Sequence, residues 1–302
     1  MLALIAGRGQ LPSVVAKSLS TRPLVCSLEG NNPEELTCDI CFRLETLGSL
    51  LQDLRERGVE AVCFCGAVSR PRIEFERIDA ATMPLAEVLQ RMLRPGDDGA
   101  LRAVIGIFED YGFNVCAAHE IAPELLPPVG VLSHRQPDID LSDCIKVAMQ
   151  AFREMSDADE GQACVVFGQE VMAKEDARGT DAMLQELAKD RRAPEPAASD
   201  PFFWAVDQFS ASLDSVADWL SGPTSKSALP LGHNGILLKA PKRNQDLRVD
   251  LPTIGLNTIE GVIRAGLKGM VLQRGRVIVL ELDQVIHLCD QYNLFLVVSD
   301  MA

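Results

Sequence analysis

From Met1 to Ala118 the chain repeats one pattern: a short apolar run, a break, then a stretch with helical spacing. Residues 2–6, 24–28, 40–44, 59–65 and 113–118 read as strands. Residues 47–57, 86–93 and 101–111 read as helices, and a further helical pattern runs from about Leu11 to Leu19. Strands alternating with helices imply a mostly parallel sheet covered on both faces. Ligands of such sheets sit at the carboxyl ends of the strands. That rule places Gly7 and Gly9 (after residues 2–6), Arg70 (after residues 59–65) and Asp98 (opening the helix at 101–111) on one rim. Strand, Gly-x-Gly, helix is a way to bring backbone amides to a phosphate. Here the dinucleotide fingerprint is incomplete, because Pro12 stands at the third glycine position. A tight turn at Gly7–Gly9 and helix capping by Asp97 and Asp98 are the plainer readings of the same residues.

The full length of 302 residues accommodates one large or two ordinary domains. Hydrophobic residues make up 47% and aromatics 5%, so aliphatic side chains must fill the core. A net charge of -14 argues against nucleic acid, which needs a basic face, and against electrostatic adhesion to an anionic membrane. The start of the chain reads as an apolar strand with no basic segment before it, so no signal peptide is expected, and no apolar run has the length of a membrane span. Nine cysteines, an odd number, read as reduced thiols of a cytoplasmic protein. Cys38 and Cys41 have C-x-x-C spacing, but the four histidines are scattered, and buried thiols are favoured over zinc.

Residues 127–137 lie in a proline-rich stretch without helical periodicity and read as a linker between a first domain at 1–126 and a second at 138–302. In the second, residues 141–155 are helical, 163–167 and 171–174 form a hairpin, and Gly179-Thr180-Asp181 enters a helix at 182–189. An inserted segment near 192–233 contains a helix begun by Asp200-Pro201. Its apolar stripe (Phe202, Val206, Phe209, Leu213, Val216) is expected to face protein, because aspartates occupy the other face. The remainder reads as a helix at 258–265, strands at 269–273 and 277–282, a helix at 283–291 and a strand at 294–298.

Chemistry concentrates between Gly235 and Gly255. The apolar run Ile236-Leu237-Leu238 gives way to cations (Lys239, Lys242, Arg248), carboxylates (Asp246, Asp250) and Gln245. Pro241 and Pro252 stiffen the segment by fixing φ. Cations hold phosphoryl oxygens; carboxylates hold a divalent metal or orient a water. A solvated loop with surface ion pairs is the competing reading.

Ile5-Ala6-Gly7, Ser69-Arg70-Pro71, Gly96-Asp97-Asp98, Ala118-His119-Glu120, Gly179-Thr180-Asp181-Ala182, Lys239-Ala240-Pro241-Lys242, and Arg248-Val249-Asp250-Leu251-Pro252 with Ile254-Gly255 form an ordered set. With it the chain resembles, over nearly its whole length, the UDP-2,3-diacylglucosamine pyrophosphatase family of lipid A biosynthesis, the type found in alphaproteobacteria. The resemblance implies two α/β domains, the first Rossmann-like and the second mixed, with the ligand between them. It implies Mg²⁺-dependent hydrolysis of UDP-2,3-diacylglucosamine to UMP and 2,3-diacylglucosamine 1-phosphate (lipid X). Asp250 is then the catalytic aspartate, and Asp181, Asp246 and Asp250 are the candidate metal ligands. Gly7, Gly9, Arg70, Asp98, Thr180, Lys239, Lys242, Gln245 and Arg248 are the candidate substrate-binding residues. The expected partners are the substrate and lipid X, a transient contact with the inner-membrane surface from the cytoplasmic side, and no nucleic acid; a homodimer is left open. In two places the chain departs from the family pattern. Arg178 stands where the family usually has an acid, and the segment from about Arg192 to His233 is longer than expected. The alternative function is a non-catalytic sugar-nucleotide sensor or scaffold. A nicotinamide enzyme would rest on Gly7-x-Gly9 alone.

Overall fold

The structure is a computed structural model that describes residues 1–69, 72–92, 99–158, 160–189, 235–243 and 245–301. Arg70, Asp98 and the helix expected after Asp200 lie outside the described residues.

The first domain is built on five parallel strands: β1 (Leu2–Ala6), β2 (Leu24–Leu28), β3 (Ile40–Phe42), β4 (Ala61–Cys65) and β5 (Asn114–Cys116). Their order is β3-β2-β1-β4-β5. β1 lies in the middle, and this is why its sequence is a continuous apolar run. Successive side chains of a strand point to opposite faces. Ala3 and Ile5 accordingly enter one core cluster, while Leu4 and Ala6 enter another on the opposite face. Helix α2 (Leu47–Glu56) buries Leu47, Leu50, Leu51 and Leu54 on the first of these faces. Each such side chain contributes about 1.5–3 kcal/mol by leaving water. The other helices of this domain are α1 (Leu11–Lys17), α3 (Ala86–Met92), α4 (Gly99–Asp110) and α5 (Ala118–Ile121).

The strand expected over 113–118 ends early, at Cys116. The Glu120 carboxylate accepts the Ala117 N–H at 2.8 Å and turns the chain into α5. His119 is thereby set at the carboxyl end of the sheet.

The second domain contains, in chain order, β6 (Gly130–Val131), α6 (Leu141–Asp157), β7 (Ala163–Phe167), β8 (Glu170–Lys174), α7 (Thr180–Lys189) and β9 (Ile236–Lys239). There follow β10 (Thr253–Ile254), α8 (Leu256–Arg264), β11 (Gly269–Gln273), β12 (Ile278–Val279), α9 (Leu282–Gln291) and β13 (Phe295–Ser299). A six-stranded mixed sheet runs β6-β13-β11-β9-β7-β8. β9, β11 and β13 are parallel, whereas β6 and β7 join antiparallel. β6 falls within the stretch expected to be linker: Val131 and Gly130 pair with Val297 and Val298. The strand expected over 277–282 is reduced to β12, which pairs not with the main sheet but with β10. β10 and β12 thus form a small platform that carries the segment ending in Pro252 toward the first domain. The Pro252 carbonyl accepts the Ile278 N–H at 2.8 Å.

The two domains share apolar contacts. Ile278 belongs to the same core cluster as Leu4 and Val15, and Leu251 and Leu280 pack on it; Val249 packs on the cluster over the opposite face of β1.

The two glycines after β1 serve different ends. Gly7 donates its N–H to the Cys65 carbonyl at 2.8 Å, and a Cβ there would lie 2.5 Å from the Ala67 carbonyl oxygen. Gly9 has open space around it but a φ of +87°. Gly7→Ala is therefore expected to lower unfolding free energy by about 1–3 kcal/mol through overpacking, and Gly9→Ala by about 1–2 kcal/mol through left-handed strain. Asparagine tolerates the left-handed region, so in urea titrations Gly9→Asn should recover part of the loss while Gly7→Asn should not. Equal behaviour at the two positions would contradict this division.

Candidate active site

A cleft of about 370 Å³ opens between the domains. From the first domain it is lined by Arg8, Gly9, Gln10, Gly66, Ala67 and His119, all at carboxyl ends of strands or just beyond them. The second domain contributes Gln162, Ile278, Leu280 and the continuous stretch from Leu247 to Thr253.

That stretch is a braced turn. The Asp246 carbonyl accepts the N–H groups of Val249 and Asp250 at 3.2 and 3.1 Å. Its carboxylate accepts from the Arg248 backbone N–H at 3.1 Å, from Nε at 3.0 Å and from Nη2 at 2.7 Å. The third arm of the guanidinium, Nη1, reaches Glu109 of α4 at 2.6 Å, which ties the turn to the first domain. The neighbouring guanidinium holds the Asp246 carboxyl below the usual aspartate range. Gln245 closes the turn from the other side: its Oε1 accepts the Lys242 N–H at 2.9 Å, and its Nε2 donates to the Asp250 carbonyl. Val249 and Leu251 face the first domain's apolar clusters, and Asp250 between them is exposed. Among the described residues that line the cleft, Asp250 is the only carboxylate.

Other expected site residues are placed elsewhere. Lys239, at the end of β9, is 5% exposed, and its Nζ donates to the Thr180 hydroxyl at 2.6 Å. Thr180 donates to Glu175 Oε2 at 2.9 Å, and that oxygen lies 4.0 Å from Nζ. Burial holds the Lys239 ammonium below the ordinary lysine value, with Glu175 and Asp181 opposing the shift. The Gln162 N–H donates to the same Glu175 oxygen at 3.1 Å, so this buried network backs onto the cleft without lining it. Asp181 is exposed in a different depression, of about 490 Å³, between α7 and α8. Asp181, Asp246 and Asp250 therefore do not converge. No group of three or more His, Cys, Asp or Glu among the described residues is arranged to hold a metal ion. Arg178, the departure before Gly-Thr-Asp, pairs on the surface with Asp176 and Glu186, each at 2.6 Å.

The structure thus brings Gly9, Arg248 and Asp250 to one cleft, and adds residues that sequence reasoning did not select. Arg8, between the two glycines, lines the cleft with Nη2 donating to Ser69 Oγ at 2.7 Å. His119 lines it from α5. Glu175 and Glu109 partner Lys239 and Arg248, and their remoteness in sequence concealed them. His119 did leave a trace, as part of Ala118-His119-Glu120.

Comparison with known proteins gives a consistent picture. The family described as LpxI N-terminal domain matches residues 1–125, and that described as LpxI C-terminal domain matches residues 128–206 and 211–297. A Caulobacter vibrioides protein named UDP-2,3-diacylglucosamine pyrophosphatase LpxI is 34% identical over 253 residues, covering 84% of this chain and 79% of its own length.

The depressed Asp246 carboxyl makes a pH prediction. A carboxylate whose pKa is lowered by folding adds stability above the ordinary aspartate range and loses it as pH falls through the folded value. Asp246→Asn should therefore be less stable than wild type near neutral pH. The two should converge in acid, once Asp246 is protonated in both the folded and unfolded wild type. Urea titrations of both proteins across that range test it; a gap independent of pH would mean that the ion pair is not its source.

Proposed function

The chain belongs to the LpxI family, and from that membership we infer that it hydrolyses the pyrophosphate of UDP-2,3-diacylglucosamine, a reaction of lipid A biosynthesis. The products are UMP and 2,3-diacylglucosamine 1-phosphate. A water oxygen bonds to one phosphorus as the bridging P–O bond breaks, and the water's proton passes to solvent or a nearby base. The observation that carries the assignment of the site is the interdomain cleft, in which a braced turn presents Asp250 as the only carboxylate among the described lining residues. A purely binding sensor or scaffold is not favoured by the match over both domains.

In this reading Asp250 orients the attacking water or holds the metal, and its backbone keeps it in place. The N–H is bonded to Asp246, the carbonyl to Gln245, and the flanking side chains are docked on the first domain. From this loop the Arg8 side chain and the Gly9 backbone N–H are the donors offered to phosphoryl oxygens, since the N–H groups of Gly7 and Arg8 are bonded to the Cys65 and Ala67 carbonyls. The part assigned to Arg248 is positional, since all three of its donor nitrogens already meet carboxylates. Mg²⁺ fits this donor set: it is commonly held by one or two carboxylates, with waters and substrate phosphates completing the shell, so a single exposed Asp250 is sufficient. When bound, the ion would offset the charge on the phosphoryl oxygens and so ease nucleophilic attack.

The substrate's acyl chains place it in a bilayer, and the reading extends to a transient contact with the inner-membrane surface. Among the described residues no helix is long and apolar enough to cross a membrane.

Asp250→Asn should lose about a thousandfold in kcat while still binding substrate, as expected for removal of a principal catalytic group. Asp246→Asn should lose less, because it acts on Asp250 through the turn. EDTA should abolish wild-type turnover and added Mg²⁺ should restore it. Hydrolysis in ¹⁸O-labelled water should put the label in the sugar phosphate. Near-normal kcat in Asp250→Asn, or label in UMP, would remove the basis of the site assignment.

A further inference from the structure

His119 is a cleft residue whose hydrogen bonding is incomplete. Its Nδ1 is buried and has no hydrogen-bond partner in the structure. The adjacent carboxylate does not serve it, because Glu120 is engaged with the Ala117 N–H. Yet the ring lines the cleft, in company with the charged side chains of Arg8, Arg248 and Asp250. Only Nδ1 of this side chain is both closed off and unpartnered, so the open edge of the ring is the Nε2 edge.

A neutral imidazole carries one N–H and one lone pair, and which nitrogen has the proton follows from the partners available. A proton on Nδ1 would leave a buried N–H without an acceptor, an arrangement that native proteins rarely tolerate. A proton on Nε2 leaves only a lone pair unmet inside and turns an N–H donor toward the cleft. It is also the tautomer that a free neutral histidine side chain prefers. The cleft has use for such a donor, since the guanidinium of Arg248 is already spent on Asp246 and Glu109.

We propose that His119 is a substrate-contacting residue that presents Nε2–H to a phosphoryl oxygen of the pyrophosphate. The proposal rests on the cleft being the site of UDP-2,3-diacylglucosamine hydrolysis. In this role His119 makes or breaks no covalent bond; it holds the anion and strengthens its hold as negative charge gathers on that oxygen.

The test uses the fact that a glutamine amide nitrogen reaches the position of Nε2 and an asparagine amide nitrogen that of Nδ1. With the full chain and UDP-2,3-diacylglucosamine, His119→Gln should keep kcat/KM within about threefold of wild type, whereas His119→Asn and His119→Ala should fall about ten- to a hundredfold, the range for a hydrogen bond to a charged group. Independently of activity, the ¹⁵N spectrum of histidine-labelled protein at pH 8, assigned by the signal lost in His119→Gln, should show the Nε2–H tautomer. Equal losses in the Gln and Asn variants, or a dominant Nδ1–H tautomer, would overturn the donor role. Asp250→Asn measured alongside separates the two levels. An active wild type that collapses in Asp250→Asn, with no split between Gln and Asn, removes His119 alone. A wild type without turnover removes the reaction and the donor role together, while the tautomer still reports on the ring.

Discussion

The two-domain arrangement depends on one short turn held by a shared guanidinium. Arg248 binds Asp246 within its own turn and Glu109 of the first domain, and the apolar side chains of Val249 and Leu251 pack against opposite clusters of that domain. Surface ion pairs are individually weak. Here the bidentate geometry and the apolar contacts act on the same few residues, so the turn is fixed at several points at once. Asp250 inherits that rigidity. In an extended or turning backbone the residue between two partly buried neighbours points away from them, and between Val249 and Leu251 that direction is the cleft.

A second constraint is the buried network of Lys239, Thr180 and Glu175. Removing an ammonium from water is costly unless hydrogen bonds and an opposite charge offset the loss. The hydroxyl at the start of α7 and the carboxylate after β8 do so, joining β9 to both elements. Gln162 connects the network to the cleft wall. Two residues that look like phosphate ligands in the sequence are therefore engaged in holding the second sheet and α7 together. Gln245 repeats the theme, since its amide spans the turn from Lys242 to the Asp250 carbonyl.

The apolar periodicities determined most of the architecture. The apolar run at Leu2–Ala6 read as a strand, and the alternation that follows implied a mostly parallel sheet covered on both faces; both are present. The charged stretch between two prolines contains the turn that lines the interdomain cleft, and the ordered motifs marked the family. Short elements were harder to place. β6 is two residues inside a proline-rich stretch, and β12 is two residues inside a longer apolar run. Their pairing is decided by partners distant in the chain, which local pattern does not contain.

The sequence by itself determined the residue types available to the site: glycines after β1, cations and carboxylates after β9, a histidine after β5. Tertiary structure alone decided how they were shared out. A cation faces ligand or protein according to whether a carboxylate from another element reaches it first. Glu175 reaches Lys239, and Glu109 reaches Arg248, over separations that no spacing rule spans. Asp181 and Asp250, both read as site carboxylates, were placed in different depressions by the packing of α7 against α8 and of the 246–252 turn against the first domain. Electrostatic and hydrogen-bond partnerships depend on distances of a few ångströms. Such distances are set only once the sheets, helices and connecting turns have closed around a common core.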